Sequence, residues 1–178
     1  MDSSMTAENN TEHSACRISC DSEFLRKSAT FSGVSPEVIK LFAYLSSRRS
    51  FKAGDYLIAQ GEKANQAFFV VKGTVEITVH HRNKEIVLQE LEAHAFFGEL
   101  ALLAKFQWFF NARAKDDLEV IVIDQKTFQK VIEKFPESKD LLTERVIQAR
   151  VDRLVQQTAF MIDTFLDPEA DKSSAAIV

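Results

Sequence analysis

The sequence predicts an α+β fold: a β-roll of the jelly-roll kind, flanked by N-terminal helices and followed by one long C-terminal helix. Three observations predict it. Apolar residues recur with helical spacing before about residue 49 and after about residue 125. Between those limits, short apolar runs alternate with glycine-marked turns at roughly ten-residue spacing. The last helical segment carries a stripe with heptad spacing. With 46% hydrophobic and 27% charged residues, composition excludes global disorder, and 178 residues suit one domain with appendages.

Residues 1–22 are polar and aperiodic, and a disordered leader is expected there. This stretch has no apolar core, which excludes a secretory signal peptide, and no Gly after Met1, which argues against myristoylation. His13, Cys16 and Cys20 spell H-x-x-C-x-x-x-C, which fits no structural zinc pattern and lacks a fourth ligand. No metal site or cofactor is predicted, and the two cysteines are expected to be free thiols. No apolar run approaches the roughly 18 residues of a membrane span, and a net charge of −4 provides no general basic face for nucleic acid. A cytoplasmic protein with neither nucleic-acid partner nor membrane insertion is the expectation.

Residues 23–136 read as the roll domain. A helical pattern covers residues 23–49. Within it Ser35 is a helix N-cap, Pro36 the first helical residue, and Val38, Leu41, Phe42 and Leu45 one buried face. Strands follow at Tyr56-Leu57-Ile58, residues 68–71, Thr74-Val75-Glu76-Ile77-Thr78-Val79, residues 86–91 and residues 120–123, with Gly54, Gly61 and Gly73 in the turns. Gly98-Glu99-Leu100-Ala101-Leu102-Leu103 interrupts the strands with helix formers, giving one helical turn with free N–H groups at its start. Phe128, Val131, Ile132 and Phe135 form the face of a further helix that Pro136 ends.

Residues 137–166 are a long helix whose stripe Ile147, Val151, Leu154, Thr158, Met161, Phe165 advances in steps of four and three, widened by Val155, Ile162 and Leu166. About 45 Å of helix is longer than a small roll can cover, so the stripe predicts a homodimer through this helix. Residues 167–178 are expected to be a disordered tail.

This order of elements, together with local sequence, resembles the cyclic nucleotide-binding domain. Phe51-Lys52-Ala53-Gly54-Asp55 looks like that family's opening strand and turn, and Gly61-Glu62 like the next turn. Phe69-Val70-Val71-Lys72-Gly73-Thr74-Val75-Glu76-Ile77 looks like its central hairpin. Phe97-Gly98-Glu99-Leu100-Ala101-Leu102-Leu103 closely matches the start of its phosphate-binding cassette. The resemblance covers about residues 24–150. It implies a cyclic nucleotide-binding type of roll, with backbone N–H groups of the one-turn helix and a nearby Arg on the phosphate, Glu99 on the ribose 2′-OH, and a C-terminal helix that carries the signal.

The resemblance also locates a break. Counted without gaps from Phe97, or back from Ile123-Asp124, the family's Arg falls on Trp108, its two small residues on Phe109 and Phe110, and its polar residue on Asn111. An insertion would instead make Arg113-Ala114 the Arg-Ala pair, but leaves about five residues too few for the strands that follow. Lys105 lies on the wrong side of the expected position, and His94 and Ala95 replace the usual Gly and Asp before the cassette. Losing one partner of a buried charge pair costs about 3–5 kcal/mol, or roughly 10²- to 10⁴-fold in affinity. Glu99 without that Arg repels a phosphate, and the aromatics add bulk that would fill the pocket. The alternative role for Glu99 is a bond to the cassette backbone or to a nearby Asn or Lys.

The candidate pocket is therefore Phe97, Gly98, Glu99, Leu100, Ala101, Trp108, Phe109, Phe110 and Asn111. No nucleophile elbow, P-loop or metal motif suggests an enzyme. Two readings remain open. One is a non-catalytic regulatory module that has lost conventional cAMP or cGMP binding and acts on an unidentified protein partner. The other is a sensor that takes a cyclic nucleotide or another small molecule in a non-standard mode through the cassette aromatics.

Overall fold

The computed structural model describes residues 4–166. The chain opens with α1 (Ser4–Lys27), a 3-10 turn at Ala29–Phe31 and α2 (Pro36–Leu45). Eight strands follow: β1 (Ser47–Phe51), β2 (Tyr56–Ile58), β3 (Gln66–Lys72), β4 (Val75–His81), β5 (Lys84–Leu91), β6 (Phe96–Phe97), β7 (Asn111–Ala114) and β8 (Leu118–Asp124). The chain then runs through α3 (Gln125–Lys134) and a 3-10 turn at Pro136–Ser138 into α4 (Lys139–Leu166). The strands form two antiparallel four-stranded sheets, ordered β1-β8-β3-β6 and β2-β7-β4-β5. This is the expected α+β roll with flanking helices.

Strand alternation lets one sheet serve two cores. In β3 and β6, Phe69 and Phe96 pack toward the helices with Phe31, Phe42 and Phe128. Their neighbours Phe68 and Phe97 turn to the space between the sheets and stack on each other, with ring centroids 5.3 Å apart. Strand β8 does the same, sending Ile121 and Ile123 to the helices and Val120 and Val122 inward. The Phe pairs of the sequence are thus one residue per core.

Three expectations are corrected. The leader is not disordered throughout: α1 is helical from Ser4. Its C-terminal part docks because Leu25 and Ser22 are buried and the Asp21 carboxylate, 1% exposed, is gripped by Arg48 of β1. That anchor needs a partner distant in sequence, so no local apolar stripe announced it. The helical pattern expected to residue 49 ends at Leu45, because Ser47–Phe51 pair with β8 instead. On α2 the buried face is Val38, Ile39, Phe42 and Ala43, with Leu41 and Leu45 at its margin. The tail expected at residues 167–178 lies outside the described residues. Among the described residues, no helix is long and apolar enough to cross a membrane. Cys16 and Cys20 are exposed free thiols on α1, and no group of three metal-ligating side chains gathers there or elsewhere among the described residues.

Candidate functional site

Between β6 and β7 the chain makes a 3-10 turn, Glu99–Leu102, and then an aromatic loop. Gly98 caps the turn in the left-handed region, with φ +78, which glycine enters without steric cost. The aromatic loop is sewn to the β2–β3 turn by backbone bonds. Gly61 N–H donates to the Trp108 carbonyl (2.7 Å), Trp108 N–H to the Glu62 carbonyl (2.8 Å), and Ala64 N–H to the Phe106 carbonyl (2.9 Å). These bonds hold the Trp108 indole, 6% exposed, against the start of the cassette turn. A Cβ added at Gly98 would lie 3.1 Å from the Trp108 ring tip and 3.0 Å from the Gln66 carbonyl. An aromatic wall therefore stands where the resemblance places an arginine.

The pocket is not filled. Trp108 meets Phe106 edge-on with centroids 5.2 Å apart and Phe110 at 5.3 Å, while Phe109 swings out and is 55% exposed. A cavity of about 400 Å³ remains. Of the nine residues read as pocket, Gly98, Glu99, Leu100, Trp108, Phe109 and Phe110 line it. Phe97 and Ala101 are buried in the core between the sheets instead. Asn111 does not line the cavity either: its Oδ1 accepts from the Gln60 N–H (2.8 Å) and its Nδ2 sits 3.2 Å from His80 Nδ1. Arg113, which an insertion would set at the family's arginine position, is paired with Glu76 on the neighbouring strand, and that bond raises its guanidinium above the ordinary value. Lys105 is exposed and lines no part of the cavity. His94 adopts φ +75, a left-handed backbone that favours glycine, with its ring 6.2 Å from Phe24.

Glu99 departs from expectation. Its side chain is 3% exposed, yet neither carboxylate oxygen has a hydrogen bond, from backbone, Asn or Lys. The nearest cation is Arg153 of α4, whose Nη1 lies 3.5 Å from Oε1, an ion-pair distance without hydrogen-bond geometry. Arg153 spends its Nη2 donor on the Phe96 carbonyl at 3.2 Å. A buried polar atom left in this state is costly unless something else satisfies it.

The residues missed from the sequence complete the walls: Ile77 and Leu88, Gln89, Phe106, and three from α4, namely Arg150, Arg153 and Gln157. The signal for the last three was legible. They stand at i, i+3 and i+7, a polar stripe beside the apolar one. The apolar stripe itself faces outward, with Ile147, Val151, Leu154, Val155 and Ile162 between 45% and 61% exposed and Thr158 exposed too. The side chains of Met161 and Phe165 lie outside the described residues.

The sequence model for the Cyclic nucleotide-binding domain matches residues 48–135. The chain is 35% identical over 118 residues to the cAMP-activated global transcriptional regulator CRP of Escherichia coli O6:H1, covering 62% of this chain and 52% of that protein. It is 26% identical over 122 residues to a cGMP-dependent protein kinase (isozyme 2 forms cD5/T2) of Drosophila melanogaster, covering 66% of this chain and 13% of the kinase. The match thus spans from about an eighth to about half the length of these curated relatives. Among solved structures, a cyclic nucleotide-binding-like protein from Brucella abortus superposes with a TM-score of 0.59 at 27% identity, over 64% of this chain and 97% of its own. Matching motifs, the two-sheet roll and the cassette turn agree, and through residues 48–135 the chain belongs to the cyclic nucleotide-binding domain family.

Proposed function

We propose that this chain is a non-catalytic regulatory module that has lost the conventional phosphate site of its family and responds to a small ligand held in a non-standard way. The observation that carries this reading is the pairing of Trp108, at the family's arginine position, with a cavity that stays open beside it. A filled pocket would have favoured a purely structural relic. An aromatic-lined space with a buried, unsatisfied carboxylate and two α4 arginines on its wall is built to receive something. Ligand contacts with Arg150, Arg153 or Gln157 would bias the position of α4, which is the means of passing the signal on.

Calorimetric titration with cyclic AMP and cyclic GMP, on wild type and Trp108→Arg, tests the loss. The Arg variant is expected to gain roughly 10²- to 10⁴-fold in affinity over a weak or silent wild type. Micromolar binding by wild type with no gain in the variant would overturn it.

A second reading rests on the exposed stripe of α4. Five large apolar side chains in solvent on one helix favour a protein partner, and a second copy of this chain is the simplest. Sedimentation equilibrium should report a dimer that Leu154→Glu converts to monomer. A monomeric wild type would remove this reading.

A further inference from the structure

The charged residues lining the cavity are Glu99, Arg150 and Arg153. Two are positive and one negative, so the site carries one excess positive charge once Arg153 is set against Glu99. Arg150 has no ion-pair partner among the described residues. Its planar fork matches a carboxylate, sulfonate or phosphate. The same cavity is lined by Phe106, Trp108 and Phe110, with the Trp108 ring 5.2 Å from Phe106 and 5.3 Å from Phe110, an aromatic surface suited to a flat ring system. Glu99 is buried and without a hydrogen bond on either oxygen, so it calls for a donor from the ligand.

Resting on the reading of the cavity as a ligand site, we propose that the ligand is an aromatic anion bound from α4. Its anionic group is held by Arg150, with Arg153 beside it. Its ring lies among Phe106, Trp108 and Phe110, and a hydroxyl or amino donor on the ring reaches Glu99. Positive charge is thereby supplied to the cavity by α4 rather than by the cassette. A ligand of this class ties α4 to the roll directly. A neutral ligand would leave Arg150 without a counter-ion, and a cation would meet net repulsion.

Trp108 is the sole tryptophan of the chain and stands in the cavity wall, so its fluorescence reads occupancy. The full chain is titrated with 1-anilinonaphthalene-8-sulfonate and with its uncharged counterpart N-phenyl-1-naphthylamine, following energy transfer from Trp108. The sulfonate should bind about tenfold or more tightly than the neutral probe. Arg150→Gln should abolish that preference while leaving the neutral probe unchanged, and Arg150→Lys should restore part of it. Competition with cyclic AMP separates two sources of the anion. Displacement that Arg150→Gln removes assigns a nucleotide phosphate to α4, whereas no displacement leaves a non-nucleotide aromatic anion. Equal binding of both probes, unaffected by Arg150→Gln, overturns the anion class but leaves the cavity a ligand site. Absence of energy transfer from Trp108 with either probe overturns the ligand-site reading as well.

Discussion

Among the described residues, two acidic side chains are buried to nearly the same depth and are treated differently. Asp21 Oδ1 of α1 accepts from Arg48 Nε at 2.9 Å and lies 2.8 Å from its Nη2, and the same guanidinium reaches Glu119 of β8 at 2.8 Å. Glu99 is met by one guanidinium nitrogen at 3.5 Å and by no hydrogen bond. The first arrangement is closed and staples a helix to a sheet. The second is open on the side of a cavity. Equal burial therefore does not mean equal pairing: the satisfied acid belongs to the architecture, and the unsatisfied one beside empty space is what the ligand proposal rests on.

Three measurements bear on that contrast, the largest effect first. Arg48→Met strands Asp21 and should cost about 3–5 kcal/mol at neutral pH in urea denaturation. A loss under about 1 kcal/mol would mean that α1 is not held by this pair. Glu99→Gln breaks no hydrogen bond, so its stability should stay within about 1 kcal/mol of wild type. A loss as large as that of Arg48→Met would place Glu99 among the architectural groups and erase the distinction.

The smallest effect is a pH slope. Burial pushes the Asp21 carboxyl above its ordinary value, and the pull of Arg48 does not cancel it. Burial acts to lower Arg48, but Asp21 and Glu119 outweigh it and leave the guanidinium above its usual value. A raised carboxyl binds its proton more tightly folded than unfolded. Its contribution is full below the unfolded value of about 3.9 and is lost as pH rises through the folded value. The stability of wild type relative to Asp21→Asn should therefore fall as pH is raised from about 4 toward neutrality. A flat difference would show that Arg48 compensates the burial completely.

The roll was legible where residues announce themselves locally. The alternation of Thr74 to Val79, the glycines at turns and the Phe128-Val131-Ile132-Phe135 face all correspond to elements seen in the fold. Strand β7 was hidden because Asn-Ala-Arg-Ala has no strand-favouring side chain and exists through its pairing with β2 and β4. The register by which the resemblance sets Trp108 against the family's arginine was readable by counting. Its consequence was not, because whether an indole fills a cavity depends on the backbone bonds to Gly61 and Glu62 that turn it toward Gly98. The α4 arginines were visible at helical spacing but were overshadowed by the longer apolar stripe. No local pattern says which face of a helix meets the roll.

Strand β5 adds a practical consequence. It is an outer strand of its sheet, and Ile86, Val87 and Leu88 are 44–53% exposed along it. Such a strand is a template for edge-to-edge aggregation in concentrated solution, with Lys84, Glu85 and Glu90 as its flanking gatekeepers. Leu88 and Gln89 are also wall residues of the cavity. The exposed edge and part of the cavity wall thus share the same eight residues. A charge placed at Leu88 to quiet self-association would intrude on the cavity wall, whereas Val87, which lines no part of it, is the position where the preparation can be made better behaved without touching the cavity.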